Sequence, residues 1–468
     1  MAYDAAALAA PVLAFLERSL QVTLAQSVDP KAGESHGAGG LRNSPDATPR
    51  PPQSRHDVVA IAVMFAVGVV VVILRRRDAV TYPQFWAEDG VVWFTDAYNG
   101  GVESIIRSYS GYLVTLPRLV AIPSVYLSLQ QAALLFNLVA IAAQVAPAAF
   151  FMSRRFEHVA PRLWVRATVA IAYLLIPSFE LDATLTNSLW HLAILAIMVV
   201  VARPPTAAVS RVFDVTVLVL AGLTGPFAVL LAPAAFVRVL VSRVARRWYI
   251  AMTGALVATL AVQGWVVVHT HRALATSLGA GWNNLLFLIS DRVVLPGSFA
   301  EEAHTRVYAS GQAHGAILAG LITLLAAGVV AFVLLKSDWF IRIFVVFCFG
   351  IMAMSLLFPI ATGPTTDPWT HLATTRDGDR YFFCAEVAWL ACVIWASSRL
   401  RKPTVRWLTS AVMTALFLSG LISYSHYPAF IDEHPAAFDA QLHAAPPGTI
   451  VVIPVNPGGP WAMHLIRR

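Results

Sequence analysis

Long apolar runs separated by short polar segments dominate the chain from Val58 onward. A helix of about 20 apolar residues is long enough to cross a bilayer. The pattern predicts an all-α polytopic membrane protein with about 11 transmembrane helices, in a range of about 10 to 13. The predicted spans are 58–74, 124–152, 167–179, 189–202, 213–223, 226–240, 249–268, 311–335, 339–360, 381–398 and 407–424.

The stretch from Gly111 to Pro123 is predicted to be a helix on the outer membrane surface rather than a span. Pro117 and Pro123 interrupt its apolar residues, and Arg118 lies between them. Neither proline nor arginine suits a membrane crossing. Counting 111–129 as a span would invert every later connection, so the charges of the loops distinguish the two topologies.

The basic residues favour the topology without that extra span. Five short connections on one side then hold 16 Lys and Arg against two acids, Glu157 and Asp338, whereas the other side holds 12 bases against 16 acids. Because Lys and Arg concentrate in cytoplasmic loops, the first side is predicted to be cytoplasmic. The protein is thus predicted to lie in a bacterial inner membrane, with a cytoplasmic N-terminus and a periplasmic C-terminus. Arg75, Arg76 and Arg77 are the exception, because they follow the first span on the outer side.

Composition excludes a soluble globular domain. Of 468 residues, 58% are hydrophobic and 13% are charged, whereas soluble domains carry about 25% charged residues. Residues 1–57 differ from the rest and are predicted to be a disordered cytoplasmic tail, or to result from a misassigned start. The transmembrane bundle is expected over 58–424. Three cysteines, Cys348, Cys384 and Cys392, lie in apolar stretches, so neither a disulfide nor a thiolate metal site is predicted.

Functional chemistry is expected on the outer side, because the other side holds only connections. The outer segments are the loops 75–123, 180–188, 269–310 and 361–380 and a periplasmic tail, 425–468. In the tail, the pattern predicts a helix around Ala436 to His443, one strand over Thr449–Pro454 and a loop tipped by Trp461. These elements are expected to dock over the outer loops.

The first outer loop carries two adjacent carboxylates, in the order Trp86, Ala87, Glu88, Asp89 and Gly90. Adjacent acids beside aromatic rings at a membrane surface can supply a general base. Asp89 can equally cap the helix that follows, which is predicted over 91–98.

The second outer loop is predicted to enter the membrane, because the apolar runs on either side of it are short for full spans. Polar groups at that depth are costly, so Glu180, Asn187 and His191 are candidates for lining a cavity. The alternative for His191 is an anchor at the membrane interface. Further along the chain, Gly225 and Pro226 interrupt an apolar run and predict a helix break.

Arg380, Arg118, Arg107 and Arg77 are candidates for binding a lipid phosphate. The arginine fork matches phosphate oxygens, although an arginine can also extend to bulk lipid headgroups. The outer histidines lack metal-binding spacing such as His-Glu-x-x-His, so no metal site or other cofactor is predicted, and a divalent cation is left open.

These motifs resemble the GT-C superfamily of membrane glycosyltransferases. The resemblance covers roughly 80–468 and includes the acidic pair at Trp86–Gly90, Glu180 and Asn187 in the second loop, and Arg380–Tyr381 where the chain re-enters the membrane. A closer likeness is to uncharacterised bacterial members with a Trp-x-Glu-Asp-Gly loop, a Gly-Pro-Phe break and an Asn-Pro-Gly tail. Residues 1–57 and the three arginines after the first span depart from the family pattern.

The resemblance implies transfer of a sugar from a polyprenyl-phosphate donor to a glycan or lipid acceptor on the periplasmic face, with inversion. Asp89, or alternatively Glu88, would be the base. Arginines would neutralise the lipid phosphate. Sugar binding would fall to Glu180, Asn187, His191, Trp86, Trp282 and Tyr112.

Two other function classes are compatible with the sequence. A transporter or flippase of lipid-linked sugars would share the apolar spans and broken helices, but it would carry functional polar groups on both membrane sides. A non-catalytic partner subunit of an envelope glycan assembly would tolerate loss of both Glu88 and Asp89. In every case the lipid bilayer is the surrounding medium, and no nucleic-acid partner is expected.

Overall fold

The computed structural model describes residues 55–242, 245–270, 277–298, 312–359, 367–375, 377–423 and 429–468. Most of the predicted N-terminal tail, and parts of the predicted loops 269–310 and 361–380, lie outside the described residues.

Helices make up most of the described chain. The α-helices are α1 (Arg55–Arg75), α2 (Asp78–Thr81), α3 (Thr95–Gly100), α4 (Thr115–Ser124), α5 (Leu129–Phe151), α6 (Leu163–Leu175), α7 (Ser188–Val201), α8 (Ala208–Leu223), α9 (Ala228–Val241), α10 (Arg246–His269), α11 (Trp282–Ile289), α12 (Gln312–Lys336), α13 (Trp339–Leu357), α14 (Pro368–Thr374), α15 (Arg380–Ser398), α16 (Pro403–Ser423) and α17 (Pro435–Ala444). Two π-helical segments (Asp89–Phe94, Ser290–Val294) and three 3₁₀ segments (Gly101–Ile106, Arg154–Phe156, Pro296–Ser298) join them.

The chain is a helical membrane protein. Among the described residues, six helices are long and apolar enough to cross a bilayer, namely α1, α5, α10, α12, α13 and α15. Helices α6, α7 and α9 are apolar but shorter. Each of the eleven predicted apolar spans overlaps one helix, α1, α5 to α10, α12, α13, α15 and α16. The predicted count of about eleven membrane crossings is not confirmed, since six of these helices meet the length and hydropathy of a crossing.

Helix α7 lies at the centre of the packing. All 14 of its residues are buried, and it packs against α5, α8, α9, α13 and α15. Its length is about 21 Å at 1.5 Å per residue, less than the roughly 30 Å of a bilayer's hydrocarbon core. Because α7 is buried along its whole length, the chain that enters it needs hydrogen-bond partners from the protein.

The predicted break at Gly225 and Pro226 separates two helices, α8 and α9. Its backbone is hydrogen-bonded to two other elements: Thr115 Oγ1 donates to the Leu223 carbonyl at 2.8 Å, and Gln263 Nε2 in α10 donates to the Gly225 carbonyl at 3.3 Å. Two carbonyls at the break thus have partners from other elements. Thr115 is the first residue of α4, and α4 covers most of the stretch from Gly111 to Pro123 that was predicted to be a surface helix.

Helix α8 approaches α10 closely at Gly222. A Cβ atom built on Gly222 would lie 2.3 Å from Oγ1 of Thr259. Only glycine permits this separation of the two helices, because any other residue would displace Thr259.

The first loop and the tail differ in detail from the predictions. The helix predicted over 91–98 is a π-helical turn, Asp89–Phe94, followed by α3. The prediction of one strand in the tail is corrected to a hairpin of β1 (Ile450–Pro454) and β2 (Ala462–Ile466), in which Val451 pairs with Leu465. The second strand was missed because it is short and follows a run of Pro and Gly. The inward side chains of the hairpin share a core with Phe85 and Trp93 of the first loop.

Replacing Gly222 with alanine should lower stability by about 1–3 kcal/mol, because the added methyl overpacks the contact with Thr259. The measurement is the thermal unfolding midpoint of the purified protein in detergent. Gly254→Ala in α10 is the matched control, since a Cβ there meets nothing within 4 Å and alanine favours a helix over glycine. Equal midpoints for the two variants would contradict the close approach.

Candidate functional site

The segment between α6 and α7 (176–187) is held inside the bundle by side chains from distant parts of the chain. Arg75 at the end of α1 donates to the Leu174 carbonyl at 2.6 Å and pairs with Asp182 at 3.1 Å. Gln144 of α5 donates to the other oxygen of Asp182 and accepts the backbone N–H of Ala183 at 3.3 Å. These contacts supply partners where water is excluded.

Asp89 belongs to the same network. Its side chain is fully buried, and its carboxylate accepts the backbone N–H groups of Leu185 at 3.0 Å and Thr186 at 2.6 Å. Burial raises the pKa of Asp89 well above its usual range; the two backbone hydrogen bonds oppose the shift, and the charge of Glu88 adds to it. Asp89 therefore orders the 176–187 segment from inside the protein.

Glu88 lies beside two groups contributed by separate segments. The Tyr109 hydroxyl is 3.4 Å from Glu88 Oε1, and Arg380 is close enough to both to interact electrostatically. Burial raises the pKa of Tyr109, the Glu88 charge adds to this shift and the Arg380 charge opposes it, so this phenol stays protonated and able to donate at neutral pH. Glu88, Tyr109, Glu180 and Arg380 are here called the Glu88 cluster.

Glu180 and Arg380 connect the 176–187 segment to the start of α15. The Arg380 guanidinium pairs with Glu180 Oε1, and the Arg380 backbone N–H donates to Glu180 Oε2 at 3.3 Å. The side chains of Glu180 and Arg380 are 16% and 23% exposed, so the pair borders solvent or headgroups. Tyr381 places its ring 5.2 Å from the guanidinium.

A tight turn presents Tyr109 to Glu88. Tyr109 and Tyr112 exchange backbone hydrogen bonds of 2.9 and 3.2 Å, and the two residues between them, Ser110 and Gly111, both have positive φ, at 52° and 89°. Such a pair of angles is typical of a type I′ hairpin turn. Tyr112, predicted to bind substrate, is thus the other end of the turn that carries Tyr109.

The residues around Glu88 are tightly constrained. Ala87 has φ 39°, a left-handed conformation that costs a non-glycine residue about 1–3 kcal/mol. Three residues later, a Cβ on Gly90 would lie 3.0 Å from Met463 Sδ and 3.1 Å from Val455 Cγ1. The glycine in the Trp-x-Glu-Asp-Gly motif therefore permits the close approach of the tail.

Two of the three arginines that depart from the charge rule are bound inside the protein. Besides Arg75, Arg76 is buried; it donates to the Phe179 carbonyl at 3.0 Å and lies 3.9 Å from the ring centre of Phe430. Arg75 and Arg76 bind partners inside the protein, which explains why these two charges occur on the predicted outer side. Arg77, the remaining candidate of the three, is exposed.

Arg118 and Arg107 share Asp96 rather than joining the Glu88 cluster. Arg118 is buried and lies 3.0 Å from Asp96, with its guanidinium 5.0 Å from the Trp93 ring centre. Arg107 is half exposed and lies 3.4 Å from the same carboxylate. Of the four arginines predicted to bind a lipid phosphate, only Arg380 is in the cluster.

Three of the predicted sugar-binding residues have structural partners. Asn187 is buried and donates to the Glu180 carbonyl at 2.8 Å, which closes the turn before α7. His191 is buried within α7, and its Nδ1 lies 2.8 Å from the Tyr173 hydroxyl. Trp86 stacks on Phe430 of the tail, with ring centres 5.3 Å apart.

Trp282, which was also predicted to bind sugar, lies on a helix to which none of these three residues belongs. It begins α11, which packs against α12 and α14, and its side chain is 81% exposed. Within the described residues, the cluster gathers Glu88, Glu180 and Arg380 from the predicted set. Tyr109 was not among the predicted site residues; the sequence signal that marks it is the Tyr-Ser-Gly-Tyr turn over 109–112.

Metal binding has no support among the described residues, where no group of three or more His, Cys, Asp and Glu side chains lies close enough to hold an ion. No protein-family model matches the chain, and no curated protein or solved structure is significantly similar to it. The likeness to GT-C enzymes thus rests on the residues alone.

Asp89→Asn should destabilise the protein by about 1–3 kcal/mol, because the new amide NH₂ cannot accept the second buried backbone N–H. Glu88→Gln is the matched control: the neighbouring acid is replaced in the same way, but its described hydrogen bond to Tyr109 is long at 3.4 Å. Thermal unfolding in detergent measures both. A larger loss for Glu88→Gln than for Asp89→Asn would contradict the assigned roles.

Proposed function

We propose that this protein is a membrane glycosyltransferase that moves a sugar from a polyprenyl-phosphate carrier to a cell-envelope acceptor. The proposal takes all eleven apolar helices as spans and the Glu88 cluster as periplasmic. The observation that carries it is the cluster itself, in which a carboxylate, a phenol and a guanidinium from three separate segments meet beside an apolar bundle.

Glu88 is assigned as the base instead of Asp89. Among the described residues, no backbone N–H donates to the Glu88 carboxylate. Its hydrogen bond there is a long one from Tyr109. Asp89 accepts two backbone N–H groups and is fully buried. A base must come within hydrogen-bond reach of the proton that it removes, and Glu88, at 8% exposure, is the more accessible acid.

The reaction is a single displacement at the anomeric carbon. Glu88 removes the proton of the acceptor hydroxyl. At the same time the hydroxyl oxygen bonds to the anomeric carbon from the face opposite the phosphate. The bond between the carbon and the phosphate oxygen breaks, and its electron pair leaves with the lipid phosphate. A phosphate leaving group needs no protonating acid, so one base is sufficient and the configuration is inverted.

Arg380 is assigned to the lipid phosphate. A guanidinium has five N–H donors in a fixed fork, so it can keep Glu180 and still bind a phosphate oxygen. Glu180 orients this fork through the contacts to both the guanidinium and the backbone of Arg380. A fixed positive charge stabilises the negative charge that develops on the leaving group, and it does so more strongly where water is excluded.

The opposite ends of the helices favour a transferase over a transporter. A transporter would need functional polar groups on that side as well. There, Arg155 forms a paired contact with Asp214 at 2.7 Å, Arg166 donates to the Ser153 carbonyl at 2.6 Å, and Arg238 donates to the Ala202 carbonyl at 3.1 Å. These arginines join helix ends to one another.

Glu88→Gln should reduce glycan transfer by about 10²- to 10⁴-fold, the usual contribution of a general base. The assay follows transfer from polyprenyl-phosphate sugars to an acceptor by purified full-length protein in lipid nanodiscs. Folded yield should match the wild type.

Glu103→Gln is the control, since Glu103 is an exposed acid in the same loop. Full transfer by Glu88→Gln would contradict the assignment. If the wild type instead moves the lipid-linked sugar across proteoliposome membranes without transferring it, the protein is a flippase.

A further inference from the structure

The tail contacts the first loop at the residue next to the proposed base. The Ala87 backbone N–H donates to the Asn456 carbonyl, and Trp86 and Asn456 pair as an isolated bridge. Ala87 is the residue with φ 39°. A non-glycine residue keeps such an angle only where its surroundings hold it there. The backbone of Ala87 is itself hydrogen-bonded to Asn456.

The Asn456 side chain fixes the carbonyl that Ala87 uses. Its Nδ2 donates to the Ile431 carbonyl at 2.9 Å, and its Oδ1 accepts the Ile431 N–H at 2.9 Å. Asn456 is buried. Phe430, next to Ile431, stacks on Trp86, so this part of the tail contacts the first loop at Trp86 as well as at Ala87.

Glu88 lies between two fixed neighbours. Ala87 is held by the tail, and Asp89 is held by the N–H groups of Leu185 and Thr186. With the backbone fixed on both sides, the Cα–Cβ direction of Glu88 is fixed as well.

We propose that Asn456 is a positioning residue, which holds Ala87 in its left-handed conformation and thereby directs the Glu88 carboxylate toward Tyr109 and Arg380. The tail then completes the site although it contributes no reacting group. The catalytic part of this inference rests on the proposed function.

Asn99 provides a matched control within the same interface. Its Nδ2 donates to the His464 carbonyl at 2.8 Å and its Oδ1 accepts the Ile466 N–H at 2.9 Å, so it attaches strand β2 to α3 by the same two kinds of bond. Asn99→Ala therefore loosens the tail away from Ala87, whereas Asn456→Ala loosens it at Ala87.

The first test is hydrogen exchange of the Ala87 amide in full-length protein in nanodiscs. Asn456→Ala should speed this exchange by about tenfold or more over the wild type, since tenfold corresponds to about 1.4 kcal/mol, and Asn99→Ala should leave it unchanged. Equal exchange in the two variants overturns the proposal. If Asn456→Ala does not fold, Asn456→Asp is measured instead; it keeps the acceptor for Ile431 N–H, and faster Ala87 exchange is again required.

The second test separates kcat from KM in the transfer assay. Asn456→Ala should lower kcat about tenfold or more while KM for the donor changes less than about twofold, because misplacing the base affects the chemical step more than donor binding. Asn99→Ala should retain wild-type kcat. An unchanged kcat in Asn456→Ala overturns the catalytic part. A wild type without any transfer activity overturns the proposed function instead, while exchange at Ala87 still decides whether Asn456 holds the loop.

Discussion

The backbone of the 176–187 segment must find its hydrogen-bond partners inside the protein, and much of the structure follows from this requirement. Helix α7 is entirely buried, and most of the chain entering it is buried among the surrounding helices. Unpaired backbone groups there would each cost several kcal/mol, on the order of the transfer penalty of an amide into hydrocarbon. Arg75, Gln144, Asp89 and Asn187 supply the partners.

This requirement gives the two adjacent acids, Asp89 and Glu88, different roles. Because Asp89 accepts the N–H groups at the end of the segment, its carboxylate is turned into the protein. Glu88 precedes it on the same turn and lies beside Tyr109. Glu180 closes the arrangement from the other side, since it belongs to the segment that Asp89 holds and pairs with Arg380 of α15. The proposed chemistry thus depends on a network whose first role is to satisfy a buried backbone.

Periodicity and length were sufficient to place the helices, because an apolar run of fixed length is a local property of the chain. The predicted spans therefore coincide with helices, and Gly225–Pro226 separates α8 from α9. The charge rule marked Arg75 to Arg77 as exceptional, and the structure supplies internal partners for Arg75 and Arg76.

What the sequence did not reveal is which distant groups meet. Arg75 pairs with Asp182, more than a hundred residues along the chain, and the Asp89 carboxylate meets two backbone N–H groups that no side-chain motif marks. For the same reason the sequence analysis named Asp89 as the base and Glu88 only as the alternative, and Asn456 was recognised only as part of a short tail motif. Local patterns carry no information about register between segments that pack only in the folded protein.

The most direct test of the account is an experimental structure of the full chain in a bilayer nanodisc with a bound polyprenyl-phosphate sugar. The account predicts that the lipid phosphate contacts the Arg380 guanidinium and that the anomeric carbon faces the Glu88 carboxylate, with Asp89 still bonded to Leu185 and Thr186. A lipid phosphate bound away from both Arg380 and Glu88 would contradict it.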